Sequence, residues 1–524
     1  MPNGHANSNN LTAAIDIGSN SIHMAIGRYV EGVGLEIVDT EKIGVQLGRA
    51  LDANGRLHTE AIRKATDAVG DLKERSELFS ADCRIIATHA SRTAVNRDEL
   101  VHSIKAATGL DVEIIDGIAE AKFTFLGIQQ SILLEGSKVL AVDVGGGSTE
   151  IMVAQGDQML FVTSLPIGAV TMTKMFLSKD KPTDGEINRL KDYIWEQILP
   201  AARLAKQAGF DQAVLSSGTA KALAAIDIFL HHGDQLDDFN GHSFSGEAAH
   251  SIFQKIIQLR EPRKIRARLN VSQSRSESLV AGSCIIASLS KALGVSEWHF
   301  SLGGLREGII VDTFQKKTRN FVMPLTSVRR SAIRNFSSRF AVQQSHAETT
   351  YVLAKSVYEQ LQPQILSKLN DDSKARQLAI LELASYFSDA GRLLNYQSVH
   401  KISGFMVAHA AIPGFTQAEK HLAGQILLAQ KKASASSTVL GWKLLFNKNH
   451  NVINILAACL KIGISLSKTR PNRLEKIKFD IKSSGLLIRY PNGSRTGKQV
   501  RRLLEPEAKQ IGKLLDKNVD FAEE

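Results

Sequence analysis

Cysteine is scarce: the 524-residue chain contains Cys83, Cys284 and Cys459 only, an odd number and far apart. That excludes a disulfide framework and a cysteine-based metal cluster, and it fits a reducing compartment. Long apolar runs are missing too. The most apolar late stretch, Val452 to Leu466, is short and interrupted by Lys461, whereas a membrane-spanning helix needs about 20 apolar residues. A buried helix is expected there, and no membrane association. The first ten residues, MPNGHANSNN, carry neither a basic cluster nor an apolar run, so no secretory signal is expected and the cytoplasm is the expected compartment. Compositional extremes are absent as well. With 43% hydrophobic and 22% charged residues, the chain is neither fibrous nor disordered.

A chain of this length exceeds one hydrophobic core, because cores stop growing near ~250 to 300 residues, so three or four domains are expected. From Leu11 to about Asp312, strand-like apolar runs alternate with amphipathic helical stretches, the pattern of an α/β architecture. Strands are predicted over Leu11 to Ile17, Ile22 to Tyr29, Cys83 to Thr88, Val112 to Ile115, Lys138 to Val144, Glu150 to Ala154 and Ala213 to Ser216. Helices are predicted over Thr59 to Glu77, Arg97 to Ala107, Ile118 to Ile128 and Glu186 to Gln207. Beyond about Gln315 the pattern turns helical, with Val352 to Leu369, Ala375 to Phe387 and Thr416 to Lys432. It closes with strand-like Lys476 to Asp480 and Gly485 to Tyr490 and a helix from about Glu505.

One plan occurs twice: apolar strand, Asp, apolar residue, Gly, small hydroxyl residues. It reads Ala14-Ile15-Asp16-Ile17-Gly18-Ser19-Asn20-Ser21 and again Ala141-Val142-Asp143-Val144-Gly145-Gly146-Gly147-Ser148-Thr149-Glu150. Each copy leads into another strand-like run, as a β-hairpin turn would. Glycines let a backbone present N–H groups to a phosphate without side-chain obstruction. Gly145, Gly146 and Gly147 offer that, with Ser148 and Thr149 as hydroxyl donors, and Ser19, Asn20 and Ser21 do likewise in the first turn. Each Asp at a strand end offers a hard oxygen ligand for Mg²⁺, so Asp143 and Glu150, with Asp16, are the candidate cation ligands. A lone turn of this kind reads as a plain hairpin; the pair points to phosphate.

The segments Ala14 to Met24, Glu113 to Gly127, Val139 to Ile151, Ser216 to Ala222 and Ser301 to Ile309 resemble the exopolyphosphatase / guanosine pentaphosphate phosphohydrolase family, within the actin, Hsp70 and sugar-kinase superfamily. The resemblance implies two ribonuclease H-like domains, 11–130 and 131–313, then a helical HD-like domain, 314–470, and a small basic α+β unit, 471–524. It implies that Glu120 is the general base that activates water, and that Arg92, in Ile86-Ala87-Thr88-His89-Ala90-Ser91-Arg92, binds phosphate. From the residues alone, Glu120 reads more readily as a complement to the helix dipole, and Arg92 reads equally as a surface cation. His89 reads as a packed histidine. Ser217, Gly218 and Thr219 open a helix and resemble the superfamily segment that contacts the far phosphates. Ser301 to Gly308 resembles the segment that closes the core, with a packing and hinge role. Two departures stand out, Ala119 where a second glutamate is common and Lys122 where arginine is usual. In the HD-like region His346 and Asp389 are kept, Ser388 replaces a histidine and His400 stands alone, so a second hydrolase site is not expected.

The net charge of +11 is uneven: Lys468 to Arg502 holds 11 Lys or Arg against Glu475 and Asp480. Such a stretch favours polyanions. Aromatic residues are not interleaved as stacking platforms, so a phosphate polymer fits better than nucleic acid. The expected activity is Mg²⁺-dependent release of terminal phosphate from polyphosphate, by a homodimer, with guanosine pentaphosphate as the alternative substrate. Two other classes remain open at this level, a silent polyphosphate- or alarmone-binding regulator and a kinase-like ATPase.

Overall fold

The computed structural model describes residues 11–30, 34–132, 134, 138–178, 180–232, 239–318, 329, 332–334, 336–337, 339–340, 342–365, 371–410, 412, 414–430, 443–467, 478–482, 485–490, 495–515 and 518–523. The chain forms two units, 1–329 and 330–524.

In the first unit, both glycine-rich segments are the turns of antiparallel hairpins. The first sheet comprises β1 (Thr12–Ile17), β2 (Ser21–Val30), β3 (Gly34–Gly44), β4 (Asp82–Ala87) and β5 (Val112–Ile114), ordered β3-β2-β1-β4-β5. The second comprises β6 (Lys138–Val144), β7 (Thr149–Gln155), β8 (Gln158–Leu165), β9 (Gln212–Ser216), β10 (Ser243–Ser245) and β11 (Glu297–Phe300), ordered β10-β11-β9-β6-β7-β8. Without the edge strand β10 the two orders are the same. Three strands meander antiparallel and two more join in parallel. The repetition seen in one turn is therefore a duplicated fold. Central strands are covered on both faces: Ala13, Ala14, Ile15 and Ile17 of β1 are all inaccessible. That is why they read as an unbroken apolar run rather than an alternating one.

β3 escapes sequence reading for the opposite reason, since it is half exposed and carries few apolar residues; β8 is also unpredicted, although it carries Met159, Leu160, Phe161, Val162 and Leu165. The strands and helices that are predicted in the first unit lie within two residues of their predicted ends, whereas β10, β11 and the helices beyond Ser216 carry no predicted bounds.

Two helices are exchanged between the halves. Gly117–Gln129 packs Ala121, Phe125 and Ile128 on Val139, Ala141, Met152 and Val214 of the second sheet. Leu305–Thr318 returns Ile309 and Ile310 to Ala14, Ala25 and Ile86 of the first, and it runs across the expected boundary at 313. The two helices cross at backbone contact. A Cβ on Gly308 would lie 1.7 Å from the Phe123 carbonyl oxygen, and one on Gly127 would lie 2.0 Å from that of Gly304. Only glycine permits this approach, in which the last turn of the first helix meets the start of the second, and Glu120 and Arg306 both lie near enough to act on the charge of Asp16.

The second unit is helical over Gln344–Ile365, Asp371–Phe387, Val399–His409, Gln417–Leu428 and Lys443–Ser467, followed by β12 (Lys478–Lys482), β13 (Gly485–Tyr490), a helix at Arg495–Leu515 and β14 (Val519–Glu523). The small sheet packs on the helices, as Phe479 N–H donates to Gln360 at 2.8 Å. Its last helix starts ten residues before the predicted Glu505 and contains Pro506. A proline there forfeits a backbone hydrogen bond, but Leu504, Ala508 and Ile511 form one buried stripe that outweighs it. Much of the basic stretch from Lys468 to Arg502, and the expected boundary at 470, lie outside the described residues, as do the predicted helix ends at Leu369 and Lys432.

Candidate active site

Residues directly opposite one another in a sheet project from the same face, so register assembles the site. In the first sheet Asp16 faces His23, which faces Lys42. In the second, Asp143 faces Glu150, which faces Ser164. The two rows are equivalent in the duplicated fold and have diverged, one to acid, imidazole and amine, the other to paired acids with a hydroxyl that donates to Glu150 at 2.7 Å.

The turns interlock. A Cβ on Gly147 would meet the His89 ring at 2.4 Å and the Ser19 hydroxyl at 2.6 Å, and one on Gly146 would lie 3.3 Å from Ser19 Cβ. Their carbonyls all face one way. The oxygens of Gly145 and Gly146 accept from the amides of Ala169, Val170 and Thr171, at the start of helix Ala169–Phe176. Those of Ser19 and Asn20 accept from Gly48, Val45 and Gln46. In a planar trans peptide the N–H points opposite to the carbonyl, so the amides of Gly146, Gly147, Asn20 and Ser21 are turned away from these partners. Among the described residues, the amides of Asn20, Gly146 and Gly147 have no acceptor. Amides without acceptors on two facing loops are a donor set that suits an anion.

Arg92, in the short helix after β4, donates to the Ile115 carbonyl at 2.7 Å and to the Glu120 carboxylate at 3.1 Å. Asp116 caps the helix that carries Glu120, accepting from the Ala119 amide at 2.7 Å. Burial raises the Glu120 carboxyl above its ordinary value while Arg92 opposes that rise. Burial is also the main cause for Asp16 and Asp143, both pushed up to about 7, with the charge of Glu120 adding and Arg306 opposing. Glu150 is held well above the usual carboxylate range by burial and by Glu120 and Asp143, against the hydroxyls of Ser164 and Ser148. Four carboxyls thus share one desolvated pocket.

Mg²⁺ fits this donor set. One oxygen of Asp16 is buried without a partner, and a cation would relieve the mutual repulsion. Among the described residues no three acidic, His or Cys side chains close into a protein-only cage. Mg²⁺ needs no such cage, since it commonly takes one or two carboxylates and completes its shell with water and substrate phosphate.

Several expected donors are committed elsewhere. Thr149 donates to the Ile167 carbonyl, Thr219 to that of Val144 at 3.0 Å, and Ser148 bonds Glu150. These hydroxyls are buried and must pair, so the second turn presents amides rather than hydroxyls. Ser21 pairs with His23 at 2.7 Å. Ser217 caps its own helix, accepting from Thr219 and Ala220, and Gly218 lies beneath the Arg275 guanidinium, 2.1 Å from where a Cβ would stand. His89, given no role from sequence, is packed against Gly147 and lowered to about 4 by burial and Arg92.

Three cations were not singled out by sequence reasoning. Lys42 is lowered by burial and by repulsion from Arg275, Arg306 and Lys221, and the same Arg306, Lys42 and Arg275 help burial lower His23 to about 3. Arg275 is itself buried and lowered by it. Lys42 sits on the unpredicted β3, Arg275 belongs to no motif, and Arg306 was read only as part of a packing segment. Glycine packing is indeed what that segment does. Cations crowded together beside the carboxylates mark where a polyanion's charge would be accepted.

In the second unit Asp389 is engaged by His346 at 3.5 Å and by Arg392 at 3.1 Å, beside the buried Ser388. The three cysteines are free, and among the described residues no helix is long and apolar enough to cross a membrane.

The model of the Ppx/GppA phosphatase family matches residues 25–317, and that of Ppx/GppA phosphatase domain III matches 328–489. A guanosine-5'-triphosphate,3'-diphosphate pyrophosphatase of Vibrio atlanticus is 26% identical over 79% of this chain and 80% of its own length. One of Pseudoalteromonas translucida is 25% identical over 96% and 97%. Among solved structures, the Aquifex aeolicus member of the Ppx/GppA family is 26% identical with a TM-score of 0.52, covering 59% of this chain and 99% of its own. An exopolyphosphatase from Cytophaga hutchinsonii shares the fold at 24% identity and a TM-score of 0.54, covering 58% and 98%. With its duplicated sheets, crossed helices and paired turns, the chain belongs to the Ppx/GppA phosphatase family.

Proposed function

We propose that this enzyme releases terminal orthophosphate from inorganic polyphosphate by hydrolysis. The observation that carries the reading is the conjunction of two inward-facing amide nests with a buried Glu120 held by Arg92. The terminal phosphate lies between the turns, its oxygens accepting from the amides of Asn20, Ser21, Gly146 and Gly147. Glu120 takes a proton from water as the water oxygen bonds to phosphorus. The bridging P–O bond opposite breaks, and the shortened chain leaves with its electron pair. Burial makes Glu120 a stronger base than an exposed glutamate, and Arg92 keeps it ionised enough to act. Arg92 also lies where its free donors can face developing negative charge. Mg²⁺, when held by one or two of Asp16, Asp143 and Glu150 with water completing its shell, would neutralise phosphate charge.

Lys42, Lys221, Arg275 and Arg306 receive the following phosphates in this reading. The second reading is guanosine pentaphosphate, favoured by the names of the Vibrio and Pseudoalteromonas relatives. Purified enzyme given long-chain polyphosphate and guanosine pentaphosphate in parallel, with phosphate release followed, decides the substrate. A higher kcat/KM on the nucleotide overturns the first choice, and no release from either at any Mg²⁺ concentration leaves a binding regulator. We place the enzyme in the cytoplasm as a homodimer; light scattering tests the second point.

A further inference from the structure

A cavity of about 1290 Å³ opens beside the turns, on the side opposite their amides. Gln46 and Arg49 come from the segment whose amides bind the carbonyls of Ser19 and Asn20. Thr173 and Lys174 come from the helix whose start binds those of Gly145 and Gly146. The far wall is Lys181 with Arg260, Arg263 and Arg266. Six cationic side chains face three acidic ones, and the acids are partly spent. Glu277 pairs with Arg49 at 2.6 Å across the two halves, and Glu261 pairs with Lys264, which does not line the cavity.

Among the described residues, Lys181, Arg263 and Arg266 form no ion pair within the salt-bridge distance, although Lys181 does feel the charge of Glu261. Arg263 and Arg266 stand three apart on helix Pro262–Leu269, hence on one face. Arg260 is fixed by donating to the Ile257 carbonyl and to Asp184, in a backbone conformation with φ of 57° that non-glycine residues rarely adopt. A concave wall of converging guanidinium and ammonium groups focuses positive potential and matches phosphate oxygens with fork-shaped donors.

We propose that this cavity is a second anion site, for a compact ligand bearing several phosphates, separate from the catalytic carboxylates. Binding there engages Arg49 and Lys174, one from each segment that anchors the phosphate turns, together with Arg260, Arg263 and Arg266 of the far wall. The ligand is a free molecule rather than the trailing end of a substrate, because the cavity lies on the carbonyl side of turns whose amides face the other way.

The test is calorimetric titration of inorganic tripolyphosphate and of long-chain polyphosphate into Glu120→Gln protein, and into the same protein carrying Arg263→Glu and Arg266→Glu. Both arginines are exposed, and a Lys181→Glu variant serves as a second probe should the pair fail to fold. The expected result is two bound tripolyphosphates falling to one. An unchanged stoichiometry of one, with long-chain affinity weakened more than about tenfold and that of tripolyphosphate untouched, rejects a free ligand and makes the cavity a substrate subsite. Unchanged stoichiometry and unchanged affinities for both probes overturn the site altogether. Phosphate release by the Glu120→Gln background is a separate readout. It bears on the catalytic assignment and leaves the comparison between the two proteins intact.

Discussion

Asp143→Asn separates the stability cost of this site from its use. Asp143 is largely desolvated beside Glu120, and its carboxyl is pushed from 3.8 to about 7. A displacement of that size corresponds to about 4 kcal/mol between the protonated and ionised forms. The folded-state value is raised, so the native protein holds a proton that the unfolded chain has released. The stabilisation is fully present below the unfolded value, near 3.8, and is lost as pH rises to about 7. Asparagine keeps the shape and does not titrate. Metal-free Asp143→Asn should therefore gain stability relative to wild type by roughly 2 to 3 kcal/mol on going from pH 5 to pH 8, while losing activity. Urea unfolding at both pH values, followed by fluorescence, reads this directly, as Trp195 and Trp298 both lie in the first unit. A gain equal at the two pH values, or a variant less stable than wild type at pH 8, refutes the picture of crowded desolvated carboxylates. Mg²⁺ should stabilise wild type at pH 8 more than the variant.

Glu120→Gln should retain substrate binding and lower kcat by about a hundredfold or more; near-normal turnover removes Glu120 as the base. Lys42→Ala should raise KM with little change in melting temperature, because the side chain is surrounded by like charge; an unchanged KM on every phosphate substrate takes Lys42 off the substrate path. Gly308→Ala forces apart helices packed so closely that the new Cβ would lie 1.7 Å from the Phe123 carbonyl oxygen, at about 3 kcal/mol or more. It should lower both Tm and activity, since Glu120 and Arg306 start those helices. Gly147→Ala should act on KM more than on Tm, because its methyl would collide with His89 and Ser19 at the phosphate turn; normal phosphate affinity would contradict the nest.

Local rules made the two turns legible. An apolar run ending in Asp and then glycine fixes a strand and a hairpin within a few residues, so Asp16, Asp143 and the glycines could be named from sequence, and the helix start at Asp116 placed Glu120 on its first turn. The basic residues were illegible because their meaning is non-local. Lys42 acquires a role only through β3, whose half-exposed pattern gave no periodic signal, and Arg275 only by folding over Gly218. The same holds for the hydroxyls. Ser148, Thr149 and Thr219 looked like phosphate donors in sequence, and burial committed them to neighbours that lie next to them only in space. Sequence by itself singled out the segments proposed to handle phosphate. Tertiary structure decided which atoms remain free to do so, because strand register and helix exchange bring distant carboxylates and cations together, and desolvation there sets the charge each can carry.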